Sequence, residues 1–111
     1  VNAVAVTPEG QVISGSGDNT LKVWDMQTGK ELRTLRGHSD WVYAVAVTPE
    51  GQVISGSVDN TLKVWDMQTG EVLTTFTTDT PILSCAVSGD GRTVVAGDTS
   101  GRVYFLRLEG G

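Results

Sequence analysis

Residues 36–66 read RGHSDWVYAVAVTPEGQVISGSVDNTLKVWD. Strand-like runs alternate there with turn signals. Val42–Val47 places Val42, Ala44 and Ala46 on one face of a strand and Tyr43, Val45 and Val47 on the other. Thr48-Pro49-Glu50-Gly51 follows, with Pro second and Gly fourth, the pattern of a type I turn. Gln52–Ser57 reads as the second strand. Val58-Asp59-Asn60 then turns the chain, because Asp and Asn tolerate left-handed backbone and bond their own neighbours. Thr61–Asp66 is the third strand, Met67-Gln68-Thr69-Gly70 a turn, and Glu71–Phe76 the fourth strand. Strands of about six residues with a turn every ten or so exclude a helical bundle.

The same pattern lies on both sides of this stretch. Residues 1–29 align with 42–70, and only Asn2/Tyr43 and Gly17/Val58 differ. A third, weaker copy starts near Pro81. A repeat of this length is the signature of a stacked or ring-like architecture. Two copies this similar imply recent duplication or deliberate design.

On these residues the chain resembles the WD-repeat family. Gly37-His38 stands near the start of the unit, Trp65-Asp66 near its end, and Ser55-Gly56-Ser57 between them. The likeness extends over essentially all 111 residues. It implies an all-β fold of four-stranded antiparallel blades belonging to a β-propeller. The blades are expected at about 1–36, 37–77 and 78–108 of a single WD-repeat region. The third stops after its third strand, expected at Arg102–Leu108.

The family places a His, a Ser, an Asp and a Trp in one buried hydrogen-bond chain. Carried over, these are His38, Ser55, Asp59 and Trp65. The residue chemistry suits that role. A buried Trp has one donor and needs an acceptor, Ser and neutral His can both donate and accept, and Asp ends the chain as an acceptor. The first unit has Ser14, Asp18 and Trp24, but its His would precede Val1. The third has Ala96, Ser100 and Leu106 at the matching places, and Thr78-Asp79 where Gly-His would stand, so packing alone is expected to hold its loop.

Three blades do not close a ring, since propellers typically have 4 to 8. Left alone, the arc would expose two apolar blade faces and one unpaired strand edge. We therefore expect the propeller to be completed either by a missing remainder or by self-association. Two copies make six blades and three make nine, which favours a dimer over a trimer. The chain opens at Val1, in mid-pattern, as a piece of something longer would.

Composition narrows the function. Eight Lys and Arg against thirteen Asp and Glu make a net charge of −5, with the cations scattered, so neither nucleic acid nor a membrane surface is an expected partner. No apolar run approaches the ~20 residues needed to span a bilayer. The single cysteine, Cys85, excludes an internal disulfide and fits a reducing, cytoplasmic setting. It aligns with Val45 and reads as a small buried hydrophobe. No cofactor is expected, and no second Cys or His exists to build a zinc site. The Asp-containing turns lack the ligand spacing of a calcium loop. Ser55, His38 and Asp59 could formally make a catalytic triad, but the Trp partner and the lack of a nucleophile-elbow pattern argue for structure over catalysis. Met26, Met67, Phe76 and Phe105 read as core. Lys22, Lys63, Arg33 and Arg36 read as solvated faces.

The resemblance implies a non-enzymatic interaction scaffold. The family's partner-binding positions fall on Trp41, Tyr43 and Val58 in the second unit, on Asn2 and Gly17 in the first, and on Pro81, Leu83 and Thr99 in the third. It also suggests the sensor end of a larger bacterial signalling protein. The alternative is a self-assembling propeller piece, remnant or engineered, with no ligand of its own.

Overall fold

The computed structural model describes residues 3–7, 9–88 and 92–107. Among them every regular element is a strand. The first sheet holds β1 (Ala3–Val6), β2 (Gln11–Gly15), β3 (Thr20–Asp25) and β4 (Glu31–Arg36). The second holds β5 (Val42–Val47), β6 (Gln52–Ser57), β7 (Thr61–Asp66) and β8 (Val72–Thr77). The third holds β9 (Ile82–Val87), β10 (Thr93–Asp98) and β11 (Val103–Arg107). Each sheet is antiparallel, with its strands side by side in chain order.

Equal sequence makes equal turns. Thr48 N–H donates to the Gln52 carbonyl at 2.9 Å and Gly51 N–H to the Thr48 carbonyl at 3.0 Å. The Thr48 hydroxyl accepts from Gln52 N–H at 3.0 Å, which satisfies a donor the tight turn would strand. Thr7 and Gln11 repeat the arrangement one unit earlier. Asn19 and Asn60 both take left-handed backbone, with φ of 74° and 68°. Their short polar side chains make that region accessible, as the turn reading requires.

The sheets approach one another most closely at their first strands, β1 with β5 and β5 with β9, so they fan out like segments of a wheel. Two cores lie in the seams. Between the first and second sheets, Ile13, Leu21, Val23 and Leu35 meet Val42, Val53, Trp65 and Met67. Between the second and third, Ile54, Leu62 and Val64 meet Ile82, Val94 and Ala96, with Cys85, Tyr104 and Leu106 packed alongside. Each sheet thus uses the two faces of its pleat differently. One face, bearing the seam glycine, packs against the next sheet, and the other packs against the previous one.

The seams need glycine at one register. A methyl group on Gly15 would lie 2.6 Å from Val42 Cγ1, and one on Gly56 would overlap Ile82 Cγ2. The β-branched residue opening each following sheet fills the space that glycine leaves.

Some expectations change. β8 runs Val72–Thr77, one residue later than expected at each end, and β11 begins at Val103 rather than Arg102. Glu71 is used up in a turn, its carbonyl accepting from Asp66 N–H at 2.9 Å, and Arg102 N–H is held by the Asp98 carboxylate. Leu108, Asn2 and the Gly89-Asp90-Gly91 turn lie outside the described residues. Met26 and Phe105 are not core: they are 52% and 73% exposed. The reason is their place on the two outward faces of the arc. Met67, which has the same local sequence as Met26, is only 9% exposed because the first sheet covers it.

Candidate functional site: a buried hydrogen-bond chain and the loop it holds

In the second sheet a single proton-ordered chain crosses from core to surface. Trp65 Nε1–H donates to Ser55 Oγ at 2.7 Å. Ser55 Oγ lies 2.6 Å from His38 Nε2, and His38 Nδ1 lies 2.9 Å from Asp59 Oδ2. A carboxylate only accepts, so Nδ1 carries the imidazole proton and Nε2 accepts the Ser55 hydroxyl proton. The direction is Trp65 to Ser55 to His38 to Asp59. Burial pushes the His38 pKa below its ordinary value, outweighing the pull of Asp59, so the ring stays neutral. Burial pulls the Asp59 carboxyl upward, but hydrogen bonds from the Thr61 hydroxyl, Ser39 N–H and His38 outweigh it and keep it ionised.

The strands explain the positions. Ser55 on β6 pairs with Lys63 on β7, two residues from Trp65, and both Ser55 and Trp65 point into the first seam. His38 comes from the loop joining β4 to β5 and lies tilted on Trp65, with ring centroids 6.0 Å apart. Gly37 allows this, since a methyl group there would come 2.9 Å from the indole. The chain therefore ties the loop from the first sheet onto the second.

Two members escaped the sequence reading. Thr61 donates its hydroxyl to Asp59 Oδ1 and lies 3.2 Å from His38 Nδ1. Ser57 Oγ bonds the Trp41 carbonyl at 2.7 Å and accepts from Asp59 N–H at 3.1 Å. The signal for Thr61 was present: Thr20 stands in the same place in the first unit, and its hydroxyl donates to Asp18 Oδ1 at 2.6 Å. In that first unit Trp24 Nε1–H donates to Ser14 Oγ at 2.9 Å.

The third sheet is not held by packing alone. Asp98, in the place of Ser57, organises a different network. Its carboxylate accepts from the Ser100 hydroxyl at 2.7 Å, Arg102 N–H at 3.0 Å and the Tyr104 hydroxyl at 2.8 Å. Desolvation opposes ionisation, but these donors hold the Asp98 carboxyl well below the usual carboxylate range. Arg102 reaches out to Asp79 at 3.1 Å, and Thr78 N–H donates to the Asn60 carbonyl at 2.8 Å, fastening the preceding loop. Cys85 Sγ faces the Ile54 carbonyl in the second seam, and burial pushes its thiol up to about 12, so it is an unreactive packing group.

At the loop end, Trp41 is 49% exposed and meets Tyr43 edge-on, with centroids 5.9 Å apart. The Trp41 ring also lies against Gly17 of the neighbouring sheet. Val58 N–H donates to the Trp41 carbonyl at 2.9 Å, and Thr99 N–H to that of Pro81 at 3.1 Å. Tyr43 and exposed Leu83 occupy equivalent bulges at the starts of β5 and β9. A bulge re-aims the side chain it carries. Trp41, Tyr43, Gly17 and Val58 are thus brought together, with Leu83 one sheet further on.

Four-stranded antiparallel sheets fanned about their first strands, each with a Trp–Ser hydrogen bond where those residues are present, define a β-propeller built from WD repeats. Residues 38–108 match the family described as TEP-1 C-terminal β-propeller, and residues 1–25 that described as WD domain, G-beta repeat. The chain belongs to the WD-repeat β-propeller family, whose members are protein-interaction modules. It is similar to the crystal structure of the WD40 β-propeller domain of Doa1, with a TM-score of 0.88 and 30% identity over 96% of this chain and 36% of that one. It is 54% identical over 43 residues to a probable serine/threonine-protein kinase PkwA of Thermomonospora curvata, covering 38% of this chain and 6% of that protein. It is 59% identical over 32 residues to the mouse dynein assembly factor with WD repeat domains 1, covering 29% of this chain and 8% of that protein. The chain thus spans a small fraction of the curated relatives it matches.

Proposed function

We propose that this chain is a non-enzymatic scaffold that completes its propeller head to tail with a second copy of itself. The loop end carrying Trp41, Tyr43 and Leu83 then receives a protein or peptide partner. The observation that carries the reading is the asymmetry of the arc. Among the described residues, the first sheet's face bearing Val4, Val6 and Met26 and the third sheet's face bearing Val103 and Phe105 are both left uncovered, and they are unlike halves of one kind of seam. Two copies would satisfy four halves and make six blades, inside the usual range. Partly exposed aromatics on a rigid loop make suitable anchors for a partner. His38, Ser55 and Asp59 act as structure here, because Ser55 is already spent on the Trp65 donor and is wholly buried.

A setting at the sensor end of a bacterial signalling protein draws support from the likeness to the bacterial PkwA. The near-identity of the first two repeats favours a second reading, an assembly unit without a ligand. Size-exclusion chromatography with light scattering tests the self-association. We expect twice the chain mass of 11.7 kDa. A particle of single-chain mass that melts cooperatively at micromolar concentration would refute it. Affinity capture with Trp41→Ala beside the unaltered chain separates the two readings: a scaffold loses a captured protein at unchanged mass, and an assembly unit captures none.

A further inference from the structure

The third sheet repeats the seam glycine on a face that no sheet covers among the described residues. Gly97 on β10 pairs with Ser84 and Val103, as Gly56 pairs with Ala44 and Leu62. A glycine inside a strand weakens it and calls for a reason. Left-handed backbone is not the reason, since Gly97 is absent from the positive-φ glycines. At Gly15 and Gly56 the reason is the incoming Val42 or Ile82. At Gly97 a methyl group would meet only the Ser84 hydroxyl, at 2.9 Å.

The surroundings of Gly97 match those of the filled sites. Val103 and Phe105 stand where Leu62 and Val64 stand on the second sheet; the former pair is exposed and the latter buried. The complementary half is on the same chain. Val4, Val6, Trp24 and Met26 line the open face of the first sheet. The same residue types at Val45, Val47, Trp65 and Met67 pack against the first sheet in the filled seam. In sequence, Val1 aligns with Val42, the residue that fills Gly15.

We propose that Gly97, with Val103 and Phe105, is the socket that seats the first sheet of a second copy. This rests on the head-to-tail reading above and assigns its contact. The interface is heterologous: the socket never meets another socket.

The test uses the full chain. Gly97→Ala requires only the Ser84 hydroxyl to rotate, so the arc keeps its far-UV circular dichroism, yet the methyl group occupies the socket and the mass falls from two chains to one. Val6→Asp blocks the opposite half and gives single chains as well. Mixed one to one, the two variants regain a two-chain mass through one intact seam, between the socket of the Val6→Asp copy and the first sheet of the Gly97→Ala copy, while the other seam stays open. Phe105→Lys is the second socket variant and behaves as Gly97→Ala does, in case the alanine protein fails to fold. If the unaltered chain is itself single, the head-to-tail reading fails and the socket with it. If the unaltered chain pairs and neither socket variant lowers its mass, self-association stands and the socket is refuted. Failure of the mixed variants to pair while both are folded refutes the heterologous contact.

Discussion

Replacing His38 by Ala interrupts the hydrogen-bond chain at its middle. Ser55 is wholly buried, and its hydroxyl proton loses the acceptor 2.6 Å away. A buried donor left unpaired costs about 1–3 kcal/mol. Asp59 loses one of its donors, but Thr61 and the Ser39 amide remain, so that end contributes less. The buried imidazole also leaves a cavity against Trp65. A destabilisation of about 2–4 kcal/mol follows. Urea unfolding at one fixed chain concentration, followed by tryptophan fluorescence, reads it as a lowered midpoint. With a slope of about 1–3 kcal/mol/M, the midpoint moves by roughly 1 M or more. Ser55→Ala costs a similar amount by stranding the Trp65 N–H. The double variant costs less than the sum by about 1–2 kcal/mol, because the two residues satisfy each other. Ser14→Ala, measured at dilutions where chains are single, is the control: Trp24 is less deeply buried and water can take its N–H, so the cost is within about 1 kcal/mol. Additive effects of His38→Ala and Ser55→Ala, or an unmoved midpoint for His38→Ala, would refute the chain as drawn.

Stability depends on pH through the same ring. Above the ordinary histidine value of 6.5 both folded and unfolded chains hold His38 neutral, and it adds no slope. Below 6.5 the unfolded chain binds the proton first, so stability falls as pH falls until the depressed folded value is reached, by up to about 1.4 kcal/mol per pH unit. Urea midpoints between pH 7.5 and 5.5 should decline in the unaltered protein and lose that component in His38→Gln. Met67→Ala, at a seam, should cost about 2–4 kcal/mol. Met26→Ala, on the open face, should stay within about 0.5 kcal/mol when measured at dilutions where chains are single. Equal costs there would show that local sequence, not the neighbouring sheet, sets their contribution.

Much of the second sheet was legible in residues 36–66. The Pro-Glu-Gly and Asp-Asn signals act within a few residues, so the turns and the strands between them follow from local chemistry. The WD pattern pointed to His38, Ser55, Asp59 and Trp65 because their roles suit one another's donors and acceptors. Thr61 and Ser57 were passed over, although the DNT and SGS runs carry them, because a hydroxyl advertises no partner until a loop is laid beside it. Asp98 was missed for a related reason. It replaces a serine in alignment, and only the approach of Ser100, Arg102 and Tyr104 turns one carboxylate into the centre of a network.

Strand order, turn positions and repeat number were thus set by the sequence alone, because hydrophobic alternation and turn chemistry are short-range. Burial was not. Met26 and Met67 share the same neighbours in sequence and differ sixfold in exposure, and Phe105 reads as core yet faces outward. A blade's faces become interior only when another blade lies on them. That long-range fact belongs to the tertiary structure, and it is what leaves this arc with one open socket and one open plug.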